Sequence, residues 1–126
     1  MTWLAVALGA GIGAPLRYLV EVAVVARGRR AGRTTSRAGF PWALLVVNVA
    51  GSALAGVVAS VSPMARAGVL VGFCGALTTY SGFGAHLDLQ WRENRRGFWT
   101  SLVVMPVACI AALVVTLLLT RATTGS

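Results

Sequence analysis

Residues 72–84 read Gly-Phe-Cys-Gly-Ala-Leu-Thr-Thr-Tyr-Ser-Gly-Phe-Gly. They form the centre of an apolar run, at about residues 67–89, that is long enough to cross a bilayer as a helix. Four glycines, two threonines and a serine weaken that helix. Non-helical backbone at membrane depth persists only where protein or an aqueous cavity surrounds it. The stretch therefore predicts a helix that breaks at its centre and leaves carbonyls unpaired, with a continuous glycine-rich helix as the alternative.

The chain as a whole has the composition of a membrane protein. Of its 126 residues, 57% are hydrophobic and only 11% are charged, and the mean hydropathy is +0.80. A soluble domain is usually about a quarter charged, so this chain has too few charges to cover a water-facing surface. These values argue against a soluble enzyme and against intrinsic disorder, which requires low hydrophobicity. We expect no enzymatic activity.

Four apolar runs of about 20 residues each predict four transmembrane helices. They cover about residues 2–26, 40–62, 67–89 and 98–120. The links are short, with a tight turn expected at Pro63 and Met64. Residues 1–126 are therefore predicted to be one four-span unit without a soluble domain. The predicted fold class is an all-α membrane protein whose third helix is broken at its centre.

The basic residues predict the orientation of these helices. All eleven are arginine, and the net charge is +8. The links at 27–39 and 90–97 hold eight of them: Arg27, Arg29, Arg30, Arg33, Arg37, Arg92, Arg95 and Arg96. The opposite side holds only Arg66 and Arg121. Because basic loops stay in the cytoplasm, we expect a multi-pass protein of the cell membrane with both basic links cytoplasmic and both termini outside. Arginines confined to such links do not indicate a nucleic-acid partner.

Polar residues inside the apolar runs are the candidates for a functional site, because each is costly there. Asn48, central in the second run, either joins helices or lines a polar pathway. Tyr80 and Phe83 are three residues apart and share a helix face. Their positively polarised ring edges can attract an anion, or the rings simply pack. Arg17 and Glu21 are four residues apart and can pair, while Arg17 can also give an anion path a basic mouth.

Small residues recur at a spacing of four in three of the runs. They are Gly9 and Gly13, Gly51 and Ala55, and Gly68, Gly72 and Ala76. This spacing lets helix backbones approach closely in lipid, either within one bundle or between subunits. Four short spans enclose little volume, so an oligomer is expected.

Three segments resemble the Fluc/CrcB family of fluoride channels. They are Gly-Ile-Gly-Ala-Pro-Leu-Arg-Tyr at 11–18, Leu-Val-Val-Asn-Val-Ala-Gly at 45–51, and Gly-Phe-Cys-Gly-Ala-Leu-Thr-Thr-Tyr-Ser-Gly-Phe at 72–83. The third is the most specific. The order of the segments and their place in a four-span chain of this length agree with the family, whereas the fourth span matches only in being apolar.

The resemblance implies a fluoride-selective channel subunit that exports cytoplasmic fluoride passively and lowers its toxicity. It implies an antiparallel dimer with two pores. It also implies a structural sodium ion held by backbone carbonyls, at positions that match Gly75 and Thr78. The implied pore residues match Arg17, Asn48, Tyr80, Ser81 and Phe83.

The chain departs from the family at several pore positions. Tyr80 stands where the family usually has Phe. Gly82 and Gly84 stand where it usually has Ser or Thr, and His86 where it has Glu. These departures remove hydroxyls and a carboxylate from a polar path. The chain is therefore expected to contribute to one working pore, or to none alone.

Two assemblies are open, a homodimer and a heterodimer. An antiparallel homodimer needs one chain that inserts in both orientations. The arginine bias of eight to two favours a single orientation instead. We therefore expect an oppositely oriented, paralogous four-span subunit as the partner.

Two other functions are also open. A small multidrug or guanidinium exporter has four short spans too, but it needs a carboxylate deep in the first span. The only acid there, Glu21, lies near the end of that span. A non-transporting membrane assembly protein would not need a polar, glycine-rich third span.

Overall fold

The computed structural model describes residues 2–31, 38–59 and 66–124, and this part of the chain is helical. Helix α1 covers Thr2–Arg30 and α2 covers Trp42–Val58. We name α3 the π-helical segment Ala67–Cys74 together with the α-helical turn Gly75–Leu77 that continues it. Helix α4 covers Tyr80–Glu93, and α5 covers Arg95–Thr124.

Among the residues that the structure describes, three helical stretches are long and apolar enough to cross a membrane: Thr2–Arg30, Ala67–Glu93 and Arg95–Thr123. Helix α2 is shorter. Its 17 residues span about 26 Å at the usual helical rise, whereas the hydrocarbon core of a bilayer is about 30 Å thick. In the described residues, twenty-five large hydrophobic side chains are exposed and seven hydrophobic residues are buried. A surface of this kind suits lipid or a partner subunit, and the chain is a membrane protein with three spanning-capable helices.

The helices extend further than the apolar runs, so the two basic links are wrongly predicted in part. Helix α1 continues through Arg27 to Arg30, where arginines favour the negative end of the helix dipole. The link predicted at 90–97 is helical except at Asn94. An apolar run marks the part of a helix that lipid surrounds, whereas the helix itself continues while its backbone bonds are made. The turn expected at Pro63 and Met64 lies outside the described residues, as do residues 32–37.

Asn94 joins α4 to α5 without a loop. Its N–H donates to the Gln90 carbonyl at 2.7 Å, which ends α4. Its Oδ1 accepts from the Gly97 N–H at 3.0 Å, and its carbonyl accepts from the Phe98 N–H at 3.0 Å, which begins α5. One asparagine therefore satisfies backbone groups of both helix ends.

Glycines bring α1 and α3 into backbone contact. A Cβ at Gly9 would collide with the Gly68 carbonyl oxygen, and a Cβ at Gly72 would lie 2.5 Å from the Val6 carbonyl oxygen. Helix α2 packs mainly on α5, where a Cβ at Gly56 would lie 2.5 Å from the Leu113 carbonyl oxygen. The small residues at 9, 68 and 72 therefore serve packing within the protomer.

We predict that Gly9→Ala destabilises the protomer and that Gly11→Ala does not. The new methyl at Gly9 meets backbone atoms that cannot move aside, at a cost of about 1–3 kcal/mol. A Cβ at Gly11 meets nothing within 4 Å, so this variant is the matched control in the same helix. Thermal unfolding in detergent, followed by circular dichroism, measures the difference. Equal melting temperatures would show that α1 and α3 do not pack this closely.

Candidate functional site

The helical backbone is interrupted between α3 and α4. Thr78 and Thr79 are extended, with φ/ψ of −77°/150° and −140°/117°. The Thr78 N–H and Oγ1 both donate to the Cys74 carbonyl, at 2.9 and 3.0 Å, and so close α3. Thr79 Oγ1 accepts from the Gly82 N–H at 3.1 Å and caps α4. Two consecutive threonines thus satisfy part of the backbone that the interruption frees.

Asn48 of α2 is hydrogen-bonded to the backbone at this interruption. Its Oδ1 accepts a hydrogen bond from the Thr79 N–H at 2.8 Å, and its Nδ2 lies 3.5 Å from the Thr79 carbonyl oxygen. The close approach needs Gly51, since a Cβ there would lie 2.5 Å from Thr78 Cγ2. With 8% of its surface exposed, Asn48 is buried within the protomer. The structure thus gives it the helix-joining role, while lining of a pathway stays a prediction.

The end of α3 supplies carbonyl oxygens. A helix that ends at Leu77 leaves its last carbonyls without intrahelical partners, and of these the Cys74 oxygen is taken by Thr78. Gly75 lies on the exposed surface of the protomer. Such oxygens suit a hard cation, so Gly75 and Thr78 fit the predicted sodium ion in their chemistry. Within the described residues no three His, Cys, Asp or Glu side chains group into a metal site.

The remaining predicted pore residues of α4 differ in their surroundings. Tyr80 is 87% exposed and Phe83 is 6% exposed. Ser81 is exposed, and its Oγ lies 3.4 Å from Thr79 Oγ1. The two rings share no common environment in the protomer, although their spacing led us to expect one face. A pore that uses both rings therefore has to include a surface from outside this protomer.

Arg17 lies on α1 and contacts Glu21. Its Nε is 3.7 Å from Glu21 Oε1, and both side chains are about one third exposed. The pairing that the spacing of four allowed is therefore present. A partly exposed ion pair of this kind is weak. Arg17 therefore stays available for its predicted role at the mouth of an anion path.

A polar cluster that sequence reasoning missed anchors the start of α2. The Gly39 carbonyl oxygen lies 2.8 Å from His86 Nε2 and accepts from Gln90 Nε2 at 3.0 Å. The Ala38 carbonyl accepts from Asn94 Nδ2 at 3.1 Å. Gln90 is fully buried. Its position seven residues after Phe83, on the same face of α4, was the available signal.

Two buried residues of α5, four apart on the helix, were also missed. Met105 is buried, and its Sδ lies 3.9 Å from Asn48 Nδ2. Ser101, one turn earlier, is fully buried, and its Oγ has no hydrogen-bond partner in the part of the chain that the structure describes. Both residues lie in an apolar run whose sequence does not show which face is turned inward.

Comparison with known proteins identifies the family. The family described as CrcB-like protein, Camphor Resistance (CrcB), matches residues 4–120. A protein of Saccharophagus degradans named Fluoride-specific ion channel FluC is 37% identical over 127 aligned residues, which cover 94% of this chain and 89% of that protein. Fluoride-specific ion channel FluC 1 of Streptomyces avermitilis is 35% identical over 118 residues, covering 89% of this chain and 86% of that protein.

A third relative, Fluoride-specific ion channel FluC 1 of Thermobifida fusca, is 46% identical over 85 residues, covering 66% of this chain and 64% of that protein. The family match covers all but the outer ends of α1 and α5, and it includes the interruption and Asn48. The chain therefore belongs to the Fluc/CrcB family.

Proposed function

We propose that the chain is a subunit of a fluoride-selective channel that exports fluoride passively across the cell membrane. The observation that carries this proposal is the helix interruption paired with Asn48, in a chain whose relatives are named fluoride-specific ion channels. Fluoride enters cells as the neutral weak acid HF and dissociates inside. A path for the anion alone then lowers its cytoplasmic concentration without an energy source.

The proposed path passes Asn48 and Phe83. The Asn48 amide offers N–H donors in an apolar interior, and the edge of the Phe83 ring adds a partial positive charge without a formal one. Ser81, Tyr80 and Arg17 complete the proposed set. Because Tyr80 points out of the protomer, its ring would serve a pore that is shared with a second subunit.

We further propose that the two subunits are antiparallel and share one sodium ion. The carbonyl oxygens of Gly75 and Thr78 would hold it, together with the equivalent oxygens of the second subunit. When bound, the ion compensates the carbonyls that the end of α3 leaves unpaired. The support is the exposed position of Gly75 at that end.

The arginine distribution supports a heterodimer. Eight of the eleven arginines lie at the 27–39 and 90–97 end, and basic residues resist translocation. One orientation, with this end in the cytoplasm and both termini outside, should dominate. An antiparallel partner is then a different chain with the reverse bias.

We predict that Asn48→Asp abolishes fluoride efflux while the protein still assembles. Aspartate keeps an acceptor for the Thr79 N–H, but its charge repels the permeating anion and should slow efflux by about 100-fold or more. Asn48→Ala instead leaves the buried Thr79 N–H unpaired and costs about 1–3 kcal/mol of stability. A fluoride electrode measures efflux from liposomes, with chloride efflux as the selectivity control. Unchanged efflux in an intact Asn48→Asp assembly would remove Asn48 from the pore, and no fluoride efflux from the unaltered assembly would refute the channel.

We predict that the assembly depends on sodium and on Gly75. A Cβ at Gly75 would meet nothing nearer than the Leu70 carbonyl oxygen at 4.0 Å, so Gly75→Val leaves the protomer interior undisturbed. Loss of dimer by light scattering would therefore report on the exposed face. Thr78→Ser, which keeps the hydroxyl and the carbonyl, is the control and should dimerise normally. A dimer that forms equally well in sodium and in choline, and with valine at 75, would contradict the sodium site.

We predict one membrane orientation when this chain is expressed alone. After removal of Cys74 and Cys109, the variant Glu93→Cys places a single cysteine at the end of α4, and Thr123→Cys places one near the end of α5. A membrane-impermeant thiol reagent should label position 123 from outside and position 93 only after permeabilisation. Comparable labelling of both positions in intact cells would favour the homodimer.

A further inference from the structure

The amide nitrogen of Asn48 is poorly satisfied in the protomer. Its neighbours are the Thr79 carbonyl oxygen at 3.5 Å and Met105 Sδ at 3.9 Å. Hydrogen bonds of this type usually measure about 2.7–3.2 Å, and a thioether is a weak acceptor. Amide hydrogens that are weakly bonded in an apolar interior are costly. They therefore favour any anion that can reach them.

Met105 covers this amide. The side chain is 3% exposed and extends from α5 towards Asn48. One turn before it, Ser101 carries a buried hydroxyl without a partner among the described residues. Residues four apart on a helix are neighbours on one face. Met105, which contacts the Asn48 amide, and the unpartnered Ser101 hydroxyl therefore lie on the same face of α5.

We propose, on the basis of the fluoride channel argued above, that Met105 is a movable plug that occupies the anion's place at Asn48. Methionine is unbranched and has three rotatable side-chain bonds, so it can leave this position without displacement of a helix. In the plugged state the thioether faces the Asn48 amide. With the side chain turned away, the Asn48 N–H and the Ser101 O–H become donors for one fluoride ion, and the rate of this movement limits efflux.

The test compares side chains of different length at position 105. Met105→Ala and Met105→Ser shorten the plug and should raise fluoride efflux from liposomes by about tenfold. With a short side chain, the packing of one buried methionine no longer has to be broken before the anion enters. Met105→Leu keeps about the same volume but is branched and less flexible, so it should give no rise in efflux and instead slow it. Val103→Ala, on the exposed face of the same helix, is the control for loss of volume as such.

The assembly used is the one purified from cells, with the partner subunit where one copurifies, and its size is checked by light scattering for every variant. Equal efflux from the unaltered, Ala, Ser and Leu proteins overturns the plug and leaves the channel standing. Slower efflux from intact Ala and Ser assemblies shows that Met105 supports the path, and this also overturns the plug. No efflux from any of the proteins overturns both the plug and the channel.

Discussion

A backbone that leaves the helical conformation inside a membrane has to replace each hydrogen bond that it gives up. In this chain part of the replacement is the hydrogen bond that the Thr79 N–H donates to Asn48 Oδ1. Unpaired, this N–H would cost several kcal/mol in hydrocarbon. Asn48 therefore fixes the position of α2 relative to the interruption between α3 and α4. Gly51 contributes by letting the α2 backbone approach Thr78.

A second attachment fixes the segment just before α2. The carbonyls of Ala38 and Gly39 receive hydrogen bonds from Asn94 and Gln90, just before α2 begins at Trp42. Asn48 alone would allow α2 to pivot about the interruption. Rotation or sliding of α2 would therefore strain its hydrogen bond to Thr79 and those of the segment before it to Gln90 and Asn94. These two attachments, together with the packing of α2 on α5, keep the Asn48 amide aligned with Thr79.

The sequence carried the coarse architecture but not the contacts that position the site. Apolar runs located the helices, because lipid demands uninterrupted hydrophobicity over their length. They misplaced the ends at Arg27–Arg30 and at 90–97, because a helix continues wherever its own bonds are satisfied. The composition of 72–84 was compatible with two backbones, since it does not reveal which group would accept the freed hydrogen bonds. Gln90 and Met105 were missed because their roles depend on which helices are neighbours.

The interruption has one satisfied side and one open side. Towards α2, the Thr79 N–H is hydrogen-bonded to Asn48 Oδ1. Away from α2, Gly75, Tyr80 and Ser81 are exposed. Lipid provides no hydrogen bonds for backbone groups of the kind that the end of α3 leaves there. The open side is therefore stable only against protein, water or an ion, and this is the physical ground for proposing a second subunit with a shared cation. In the proposed assembly the exposed Tyr80 ring and Gly75 face the second subunit, whereas Asn48 lies inside the protomer, so that each pore needs both subunits.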